Sequence, residues 1–512
     1  MSQSISAIVV GGGHNGLVAA AYLARAGVSV LVLEQRPFVG GACVTEELFP
    51  GFRVSSCAYV SHLLQEKVIE ELELERHGLE ILPVDPFRLH LLPDGQSIRM
   101  WHEHERTVEE IRSISPHDAD RYGDWAALWD RMCGILYRFF LTEPPTMEEV
   151  VASMHGSDDE SAFELMIHGN MKDLVGRFFE HPHIQNAFID AFDAGDIRAP
   201  GSVLTVAYHK CSRFTNPRFV GIPRGGMGSI AEAMVGAARA NGVSIRTGVA
   251  VARLEVEHGK VKGVRLDSGE RIDADVVLSN ADPKRTLLSL IDQDVLSPEL
   301  VESVRGLKTR FGTLKFHAIL NALPDLSAYL HEGEMVDQFA QIRICPSVDY
   351  FEAGWRDVAQ GRPSTCPIVS IQIPTVLDTS LAPPGRHIMS IWSQFAPVRL
   401  AEGTWDEARQ RVGEALIESV AQYVPNLREV IDDWILYTPI DLERRVGLTD
   451  GNIHHIDVIR SQIFQDRPHR MLAGYRTPIE GLYLCGAGTH PGGEVTAAPG
   501  HNAAQVVLRD RA

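Results

Sequence analysis

Cysteine is scarce in this chain, and no two cysteines are closely spaced. The 512 residues contain seven cysteines, and no C-x-x-C sequence occurs among them. An odd number of scattered cysteines argues against a disulfide framework, and a dithiol redox centre needs two neighbouring thiols. The sequence therefore indicates a reducing compartment, and we expect a cytoplasmic protein.

Long apolar runs and an excess of basic residues are also lacking. No stretch is long enough to span a bilayer, which leaves peripheral contact with a membrane surface as the open alternative. Lys and Arg number 48 against 67 Asp and Glu, for a net charge of −19. Because nucleic-acid binding needs a basic face, we expect no nucleic-acid partner and instead a small-molecule substrate. The oligomeric state is left open.

Two kinds of catalytic signature are missing as well. No G-x-S-x-G sequence is present, so acyl transfer has no support. The histidine pairs His102/His104 and His181/His183 have no cysteine or carboxylate cluster at metal-ligand spacing. We therefore expect no metal site.

The most informative stretch is an N-terminal βαβ pattern. An apolar run, residues 5–10, precedes Gly11, Gly13 and Gly16 at G-x-G-x-x-G spacing, and a helical pattern follows. These glycines permit a tight turn, close approach of a pyrophosphate and close packing of helix on strand. A second apolar strand ends in Glu34, whose carboxylate can accept hydrogen bonds from ribose hydroxyls and would repel a 2′-phosphate. The pattern predicts binding of FAD or NAD rather than NADP.

A later glycine cluster does not predict a second nucleotide site. Gly226, Gly228 and Ala231 have similar spacing, but Pro223 and Arg224 stand where a buried strand should precede them. We interpret this segment as the start of a helix near the cofactor. A built-in NAD(P)H reductase half is therefore not supported.

Five segments together resemble the phytoene desaturase superfamily of flavoproteins. They are the N-terminal fingerprint and residues 40–52, 223–228, 279–283 and 485–493. Within that superfamily the chain looks closest to the carotenoid-ketolase-like branch, and the similarity extends from the first strand to the last helix. The resemblance implies an FAD-dependent oxidoreductase with non-covalent FAD.

The resemblance also implies an α/β fold of two interleaved domains. A discontinuous Rossmann-like FAD-binding domain of the amine-oxidase type is expected from residues 1–85, 222–300 and 471–512. An α+β substrate-binding domain that caps the flavin is expected from residues 86–221 and 301–470. Short strand-like runs between residues 243 and 280 predict a hairpin ribbon in the first domain.

Eleven residues are implied as FAD ligands by their positions in the matching segments. They are Gly11, Gly13 and Gly16 at the pyrophosphate, Glu34 on the adenosine ribose, Arg36, Gly40 and Gly41 near the phosphates and ribityl chain, Val251 beside the adenine, Gly486 beside the ribitol phosphate, and Val495 and Thr496 beside the isoalloxazine. For Arg36 the alternative is a solvated charge after a strand.

Three further residues are candidates for catalysis. Glu494 stands where relatives usually have a glycine, and His454 and His455 lie in a polar turn. A carboxylate and two imidazoles at the flavin's reactive face would suit a polar or amine-bearing substrate. In the alternative interpretation, Glu494 only complements the dipole of a helix predicted from about Val495, and both histidines are structural.

The expected chemistry is transfer of a hydride from a substrate C–H bond to the flavin, with oxygen or a quinone as acceptor. Three functional classes stay open. The favoured one is a desaturase, dehydrogenase or oxidase of a hydrophobic, isoprenoid-like substrate. The others are a flavin oxidase of a smaller polar compound or amine that uses Glu494, His454 and His455, and a non-catalytic FAD-bound scaffold.

Overall fold

The computed structural model describes residues 5–512, which form a mixed α/β structure. The strands are β1 (Ala7–Val10), β2 (Val30–Leu33), β3 (Thr45–Phe49), β4 (Phe52–Ser55), β5 (Ile81–Pro83), β6 (Arg88–Leu91), β7 (Ser97–Met100), β8 (Gly221–Pro223), β9 (Ser244–Arg246), β10 (Val251–Glu257), β11 (Lys260–Leu266), β12 (Arg271–Asp273), β13 (Val276–Ser279), β14 (Phe311–Leu320), β15 (Gln341–Ile344), β16 (Ile368–Gln372), β17 (His387–Pro397), β18 (Ile431–Tyr437) and β19 (Leu482–Leu484). The helices are α1 (His14–Arg25), α2 (Glu66–Glu71), α3 (His104–Ile114), α4 (Pro116–Tyr137), α5 (Met147–Ala152), α6 (Asp158–His168), α7 (Met171–Phe178), α8 (Pro182–Phe188), α9 (Ser202–Lys210), α10 (Gly228–Ala240), α11 (Pro298–Arg305), α12 (Val348–Ala359), α13 (Trp405–Ala421), α14 (Leu427–Val430), α15 (Pro439–Val446) and α16 (Ala498–Arg511).

A five-stranded parallel sheet contains the N-terminal fingerprint. Its strand order is β19-β13-β1-β2-β9. β1, β2 and β13 are buried along their whole length, as expected for parallel strands covered on both faces. Because the carboxyl ends of parallel strands share one edge, Gly11, Glu34, Asn280 and Gly486 are gathered there, although they span most of the chain.

A three-stranded antiparallel ribbon, β10-β11-β12, joins β9 to β13 along the chain. Its hairpin turns lie at residues 258–259 and 267–269, where the sequence has glycine-containing turns. The predicted ribbon is therefore observed.

A second, seven-stranded sheet has the order β18-β14-β17-β16-β15-β6-β7. Only the pair β15 and β6 is parallel. Helix α13 contributes Trp405, Val412 and Leu416 to the core cluster on one side of this sheet. The helices between α3 and α9 form a separate core of their own around Trp125 and Trp129.

The structure corrects three local expectations. The amphipathic stretch from 105 to 140 is two helices, because Pro116 starts α4 and Ser115 caps it. A buried strand does precede the second glycine cluster, but β8 pairs antiparallel with β5 and lies outside the parallel sheet. The last helix begins at Ala498 rather than near Val495, because Ala497 has a φ of +63° that a helix cannot include.

The α/β class is confirmed, whereas the two-domain boundaries stay a prediction, whose residues 1–4 lie outside the described part of the chain. Across residues 5–512, no helix has both the length and the apolar character needed to cross a bilayer.

Candidate functional site

A cavity of about 1050 Å³ extends between the carboxyl edge of the parallel sheet and one face of the seven-stranded sheet. Gly11 and Glu34 line it on the first side, and Arg343 and Trp392 line it on the second. Pockets for one small molecule usually measure about 300–1,000 Å³. The cavity is therefore large enough to hold more than a single small ligand.

Nine of the fourteen predicted site residues line this cavity. They are Gly11, Gly13, Glu34, Arg36, Gly41, Val251, His455, Glu494 and Val495. The remaining five, which are Gly16, Gly40, His454, Gly486 and Thr496, lie outside the lining.

The fingerprint glycines leave room that side chains would fill. Gly11 has a φ of +96°, and a Cβ at Gly13 would lie 2.7 Å from Nδ2 of Asn280. A Cβ at Gly16 would lie only 2.3 Å from the carbonyl oxygen of Gly11, so Gly16 serves helix packing. Gly13 caps α1, whose free N–H groups can receive a phosphate.

The second glycine pair lies directly against the first. The N–H of Gly40 donates to the carbonyl of Gly12 over 2.8 Å, and a Cβ at Gly41 would lie 3.2 Å from Cα of Gly13. Gly40 and Gly41 have φ angles of +122° and +59°, which favour glycine. The backbone here can therefore approach a ligand closely.

Glu34 and Arg36 are held in place by their neighbours. The Glu34 carboxylate accepts hydrogen bonds from the N–H groups of Gly12 and Arg36, each over 2.8 Å. The Arg36 guanidinium donates to the carbonyl of Gly41 over 2.9 Å and pairs with Glu46 at 3.2 Å. With 12% of its side chain exposed, Arg36 is not a solvated charge.

The C-terminal candidates follow β19. A Cβ at Gly486 would lie 2.7 Å from the carbonyl oxygen of Asn280, so this glycine allows the strand ends to pack. Thr496 caps α16 through the N–H of Ala498, which donates to its Oγ1 over 3.2 Å. Val495 lies beside it in the lining.

Glu494 lies at the centre of a histidine cluster that the sequence did not predict. Its two carboxylate oxygens contact Nε2 of His62 and Nδ1 of His209, and Nε2 of His454 lies 3.6 Å away. Burial favours the neutral acid, but His209 and His62 outweigh burial and hold the pKa of Glu494 well below its usual range. Glu494 is therefore an anion, and it does not belong to the first turn of α16.

The backbone of Glu494 supports a specific role. Its φ is +66°, in the left-handed region that favours glycine. A non-glycine residue in this region is strained, and such strain concentrates at functional sites. The side-chain cluster holds the carboxylate here against that cost.

The two predicted histidines have opposite environments. Nδ1 of His454 lies 2.6 Å from Oδ2 of Asp193; burial opposes its charge, but Asp193 and Glu494 raise the pKa of His454 to about 9. Burial lowers the pKa of His455 to about 4, and its Nδ1 has no hydrogen-bond partner among residues 5–512. His454 is thus a cation behind Glu494, whereas His455 is a neutral ring facing the cavity.

His62, His209 and Glu494 are also the kind of group that can hold a metal ion, with their ligand atoms within 4.8 Å of one another. The two imidazoles contact different oxygens of one carboxylate, however, as hydrogen-bond donors do. We interpret the group as a polar cluster rather than as a metal centre.

One cross-strand row of the seven-stranded sheet forms the opposite wall. In register, Arg343 faces Ser370, Ser370 faces Trp392, and Trp392 faces Lys315. All four side chains line the cavity. Arg343 and Lys315 were not among the predicted site residues, and the signal that could have identified them is a charged residue inside an apolar strand.

Aromatic side chains complete the lining. They are Phe87, Trp101, Tyr122, Phe188, Phe192 and Trp392. The Phe192 ring stacks on His209 with centroids 3.5 Å apart, which joins the aromatic wall to the Glu494 cluster.

Comparison with known proteins agrees with this geometry. The family model of flavin-containing amine oxidoreductases matches residues 16–315. Pyridine nucleotide-disulfide oxidoreductase domain-containing protein 2 of Rattus norvegicus is 31% identical, over 100% of this chain and 94% of its own length. One of the limonene dehydrogenase polypeptides of Castellaniella defragrans is 28% identical, over 98% and 94%. Phytoene desaturase (lycopene-forming) of Pantoea ananas is 26% identical, over 96% of each chain.

The fold is shared with a solved oxidoreductase from Methanosarcina mazei. The TM-score is 0.64 at 18% identity, over 98% of this chain and 100% of that one. The expected phytoene desaturase-like superfamily, the FAD cofactor and the oxidoreductase class are thereby confirmed. The glycine cradle and the fixed Glu34 carboxylate fit that cofactor. The chain belongs to the flavin-containing amine oxidoreductase family and is an FAD-dependent oxidoreductase.

Proposed function

We propose that this FAD-dependent oxidoreductase dehydrogenates a C–H bond of an elongated, largely apolar substrate of the isoprenoid type, with oxygen or a quinone as final acceptor. The observation that carries the proposal is one continuous cavity of about 1050 Å³, which has the nucleotide fingerprint on one side and aromatic rings on the other. Two relatives named for limonene and phytoene, both isoprenoid hydrocarbons, support the substrate class.

In this proposal the cofactor is held by residues of the parallel sheet's carboxyl edge. They are Gly11, Gly13, Glu34, Arg36, Gly41, Val251 and Val495 in the lining, with Gly16, Gly40, Gly486 and Thr496 supporting the backbone around them. Bound FAD supplies the acceptor for the hydride.

Glu494 is the proposed proton acceptor. Dehydrogenation of two adjacent carbons releases one hydride and one proton, and the proton needs a base at the cavity wall. Glu494 lines the cavity, and its low pKa keeps it ionised at neutral pH. Contacts with His62 and His209 fix both oxygens, and they offer a route by which the proton leaves the carboxylate.

His454 and His455 take different roles in this scheme. His454 lies outside the lining and touches Glu494 from behind, so we propose that it positions the carboxylate rather than meeting the substrate. His455 presents a neutral ring to the cavity. The apolar rings around the remaining wall would exclude water from the reacting carbon.

A smaller amine substrate is the second candidate, because the Glu494 carboxylate could attract a cation. An anaerobic titration of the FAD-loaded protein separates the candidates. We expect isoprenoid substrates to bleach the flavin absorbance, and amines and short polar alcohols to leave it unchanged. Bleaching by amines alone would contradict the proposal. A flavin that dithionite reduces but no substrate bleaches would favour the scaffold.

A further inference from the structure

We propose that the substrate carries an acidic head group, a carboxylate or a phosphate, and that Arg88, Lys210 and Arg343 bind this group at the cavity wall. The identity of the reacting substrate rests on the proposed function, but binding of the acidic group does not require turnover. We call these three residues the cation cluster.

The cation cluster is built from the sheet and the cap together. Arg88 and His90 alternate along β6 and therefore share a face, and His90 lies opposite Arg343 of β15 in register. Lys210 is the last residue of α9 in the cap. All three cations line the cavity.

The charges of the cluster are not balanced by the protein. Arg343 pairs with Asp190 at 2.6 Å and donates to the carbonyl of Ile189 over 2.9 Å. Arg88 and Lys210 pair with no carboxylate among residues 5–512; Nζ of Lys210 lies 5.1 Å from the Trp129 ring centre. Asp190 is therefore the one carboxylate that serves three cations.

Neighbouring groups do not supply the missing anion. Arg213 also lines the cavity, but it is paired with Asp130. Burial keeps the pKa of His90 well below its usual value, so this imidazole is neutral. Two positive charges are thus left without a counter-charge in this part of the wall.

An anionic ligand would relieve this imbalance. Burial, with the nearby Arg343, lowers the pKa of Arg88 to about 10, and burial, with Arg213 and Arg88, lowers the pKa of Lys210 to about 8, so both groups remain largely charged at neutral pH. Buried unpaired charges are costly, and charge-assisted hydrogen bonds to an oxyanion offset that cost. A protonated amine would be repelled at the same place.

The cluster is separate from the predicted FAD phosphate site. The phosphate site lies at the carboxyl edge of the parallel sheet, around Gly11 and Gly13. Arg343 belongs to the other sheet and lies three strands from Lys315, a distance of about 14 Å at 4.8 Å per strand. Phe87, Trp101 and Tyr122 line the same cavity. The geometry thus fits an elongated molecule with an apolar body and an acid at one end.

Binding of unreactive probes to the FAD-loaded protein tests the proposal. The probes are dodecanoate, dodecyl phosphate, dodecanol and dodecylamine, measured by calorimetry below micelle-forming concentrations. We expect at least one acid to bind about tenfold or more tightly than the alcohol, and the amine to bind more weakly than the alcohol. Comparison of the two acids identifies the preferred head group.

Variants then locate the site. Arg88→Gln and Lys210→Gln should each weaken binding of the preferred acid about tenfold and leave dodecanol affinity unchanged. Arg177→Gln, on an exposed position of the cap helix α7, is the matched control and should change neither affinity. Flavin content reports that each variant is folded.

Equal affinity of the wild-type protein for acids and alcohol would overturn the proposal, as would unchanged acid binding in both variants. The wild-type comparison needs no variant, so a misfolded Arg88→Gln protein does not remove the test. If isoprenoids fail to bleach the flavin while the acid still binds through Arg88 and Lys210, the proposed reaction is wrong and the anion site stands.

Discussion

Nδ1 of His454 lies 2.6 Å from Oδ2 of Asp193, although the two residues are 261 positions apart in the sequence. Asp193 also accepts a hydrogen bond from the N–H of Val458 over 2.6 Å. The carboxylate thereby holds both the ring and the backbone of the turn behind Glu494. Its charge stabilises the imidazolium of His454 and fixes that ring against Glu494.

This ion pair predicts a pH-dependent stability. The pKa of His454 is about 9 in the folded protein and 6.5 when unperturbed, so the folded state binds the proton more tightly. The contribution of His454 is therefore complete below pH 6.5 and is lost as the pH rises towards 9. We expect the melting temperature of the wild-type protein to fall across that range.

The matched variant is His454→Gln, which removes the titrating group. Its melting temperature should be lower than that of the wild type at pH 6.5, and the gap should narrow towards pH 9. A gap that is constant with pH would show that His454 stabilises the protein without being protonated. Lys210 and Lys315, whose lowered pKa values are about 8, titrate in both proteins and cancel in the difference.

Glu494→Gln tests the proposed proton acceptor. The amide keeps the shape of the side chain but cannot accept a proton at neutral pH. With a substrate that bleaches the flavin, we expect the rate of flavin reduction to fall about 100-fold or more. Glu480→Gln, at a position whose side chain is 74% exposed, is the control. An unchanged rate combined with a lower melting temperature would show that Glu494 is structural.

Two glycine substitutions should separate cofactor binding from folding. In Gly13→Ala the new Cβ meets the side-chain Nδ2 of Asn280, which can shift, so we expect a folded protein with substantially less FAD. In Gly16→Ala the Cβ meets the backbone oxygen of Gly11 at 2.3 Å, so we expect the fold itself to be destabilised. Flavin absorbance per protein and circular dichroism measure the two effects.

The control for these substitutions is Gly176→Ala, in α7, where nothing lies within 4 Å of the new Cβ. It should keep its FAD and gain a little stability, because alanine is the better helix former by about 1 kcal/mol. Equal FAD content in Gly13→Ala and Gly176→Ala would contradict the assigned role of Gly13.

Arg467 predicts a large loss of stability on a conservative change. Its buried guanidinium donates to six backbone carbonyls, which belong to His454, Ile456, Asp457, Gln462, Ala487 and Thr489. Lysine has fewer donors and no planar fork, so Arg467→Lys should cost about 3 kcal/mol or more in free energy of unfolding. Denaturant titration measures this cost.

Arg470→Lys, at a position whose side chain is 72% exposed, should leave the free energy of unfolding almost unchanged. Similar stabilities of the two variants would mean that the carbonyls around Arg467 find other partners. The segments that Arg467 joins hold His454 and lead to Glu494, so we also expect a slower reaction in Arg467→Lys.

Local patterns were enough to predict the nucleotide-binding half of the site. Gly11, Gly13, Gly16 and Glu34 lie within one βαβ unit, and their spacing alone requires a turn and a strand end at the sheet edge. Position Glu494 was identified correctly, but its environment was not. The predicted helix dipole is absent there, because the left-handed backbone at Ala497 delays the start of α16.

The sequence by itself determined the α/β class, the flavin fingerprint and the family, because each is encoded by residues close together in the chain or by similarity along its length. Tertiary structure decided the rest. His62, His209 and Glu494 meet only when three distant segments pack, and Arg88, Lys210 and Arg343 share a wall only through strand register and the cap. Charge balance and pKa depend on such distant neighbours, because electrostatic interactions follow distance in space rather than separation in sequence.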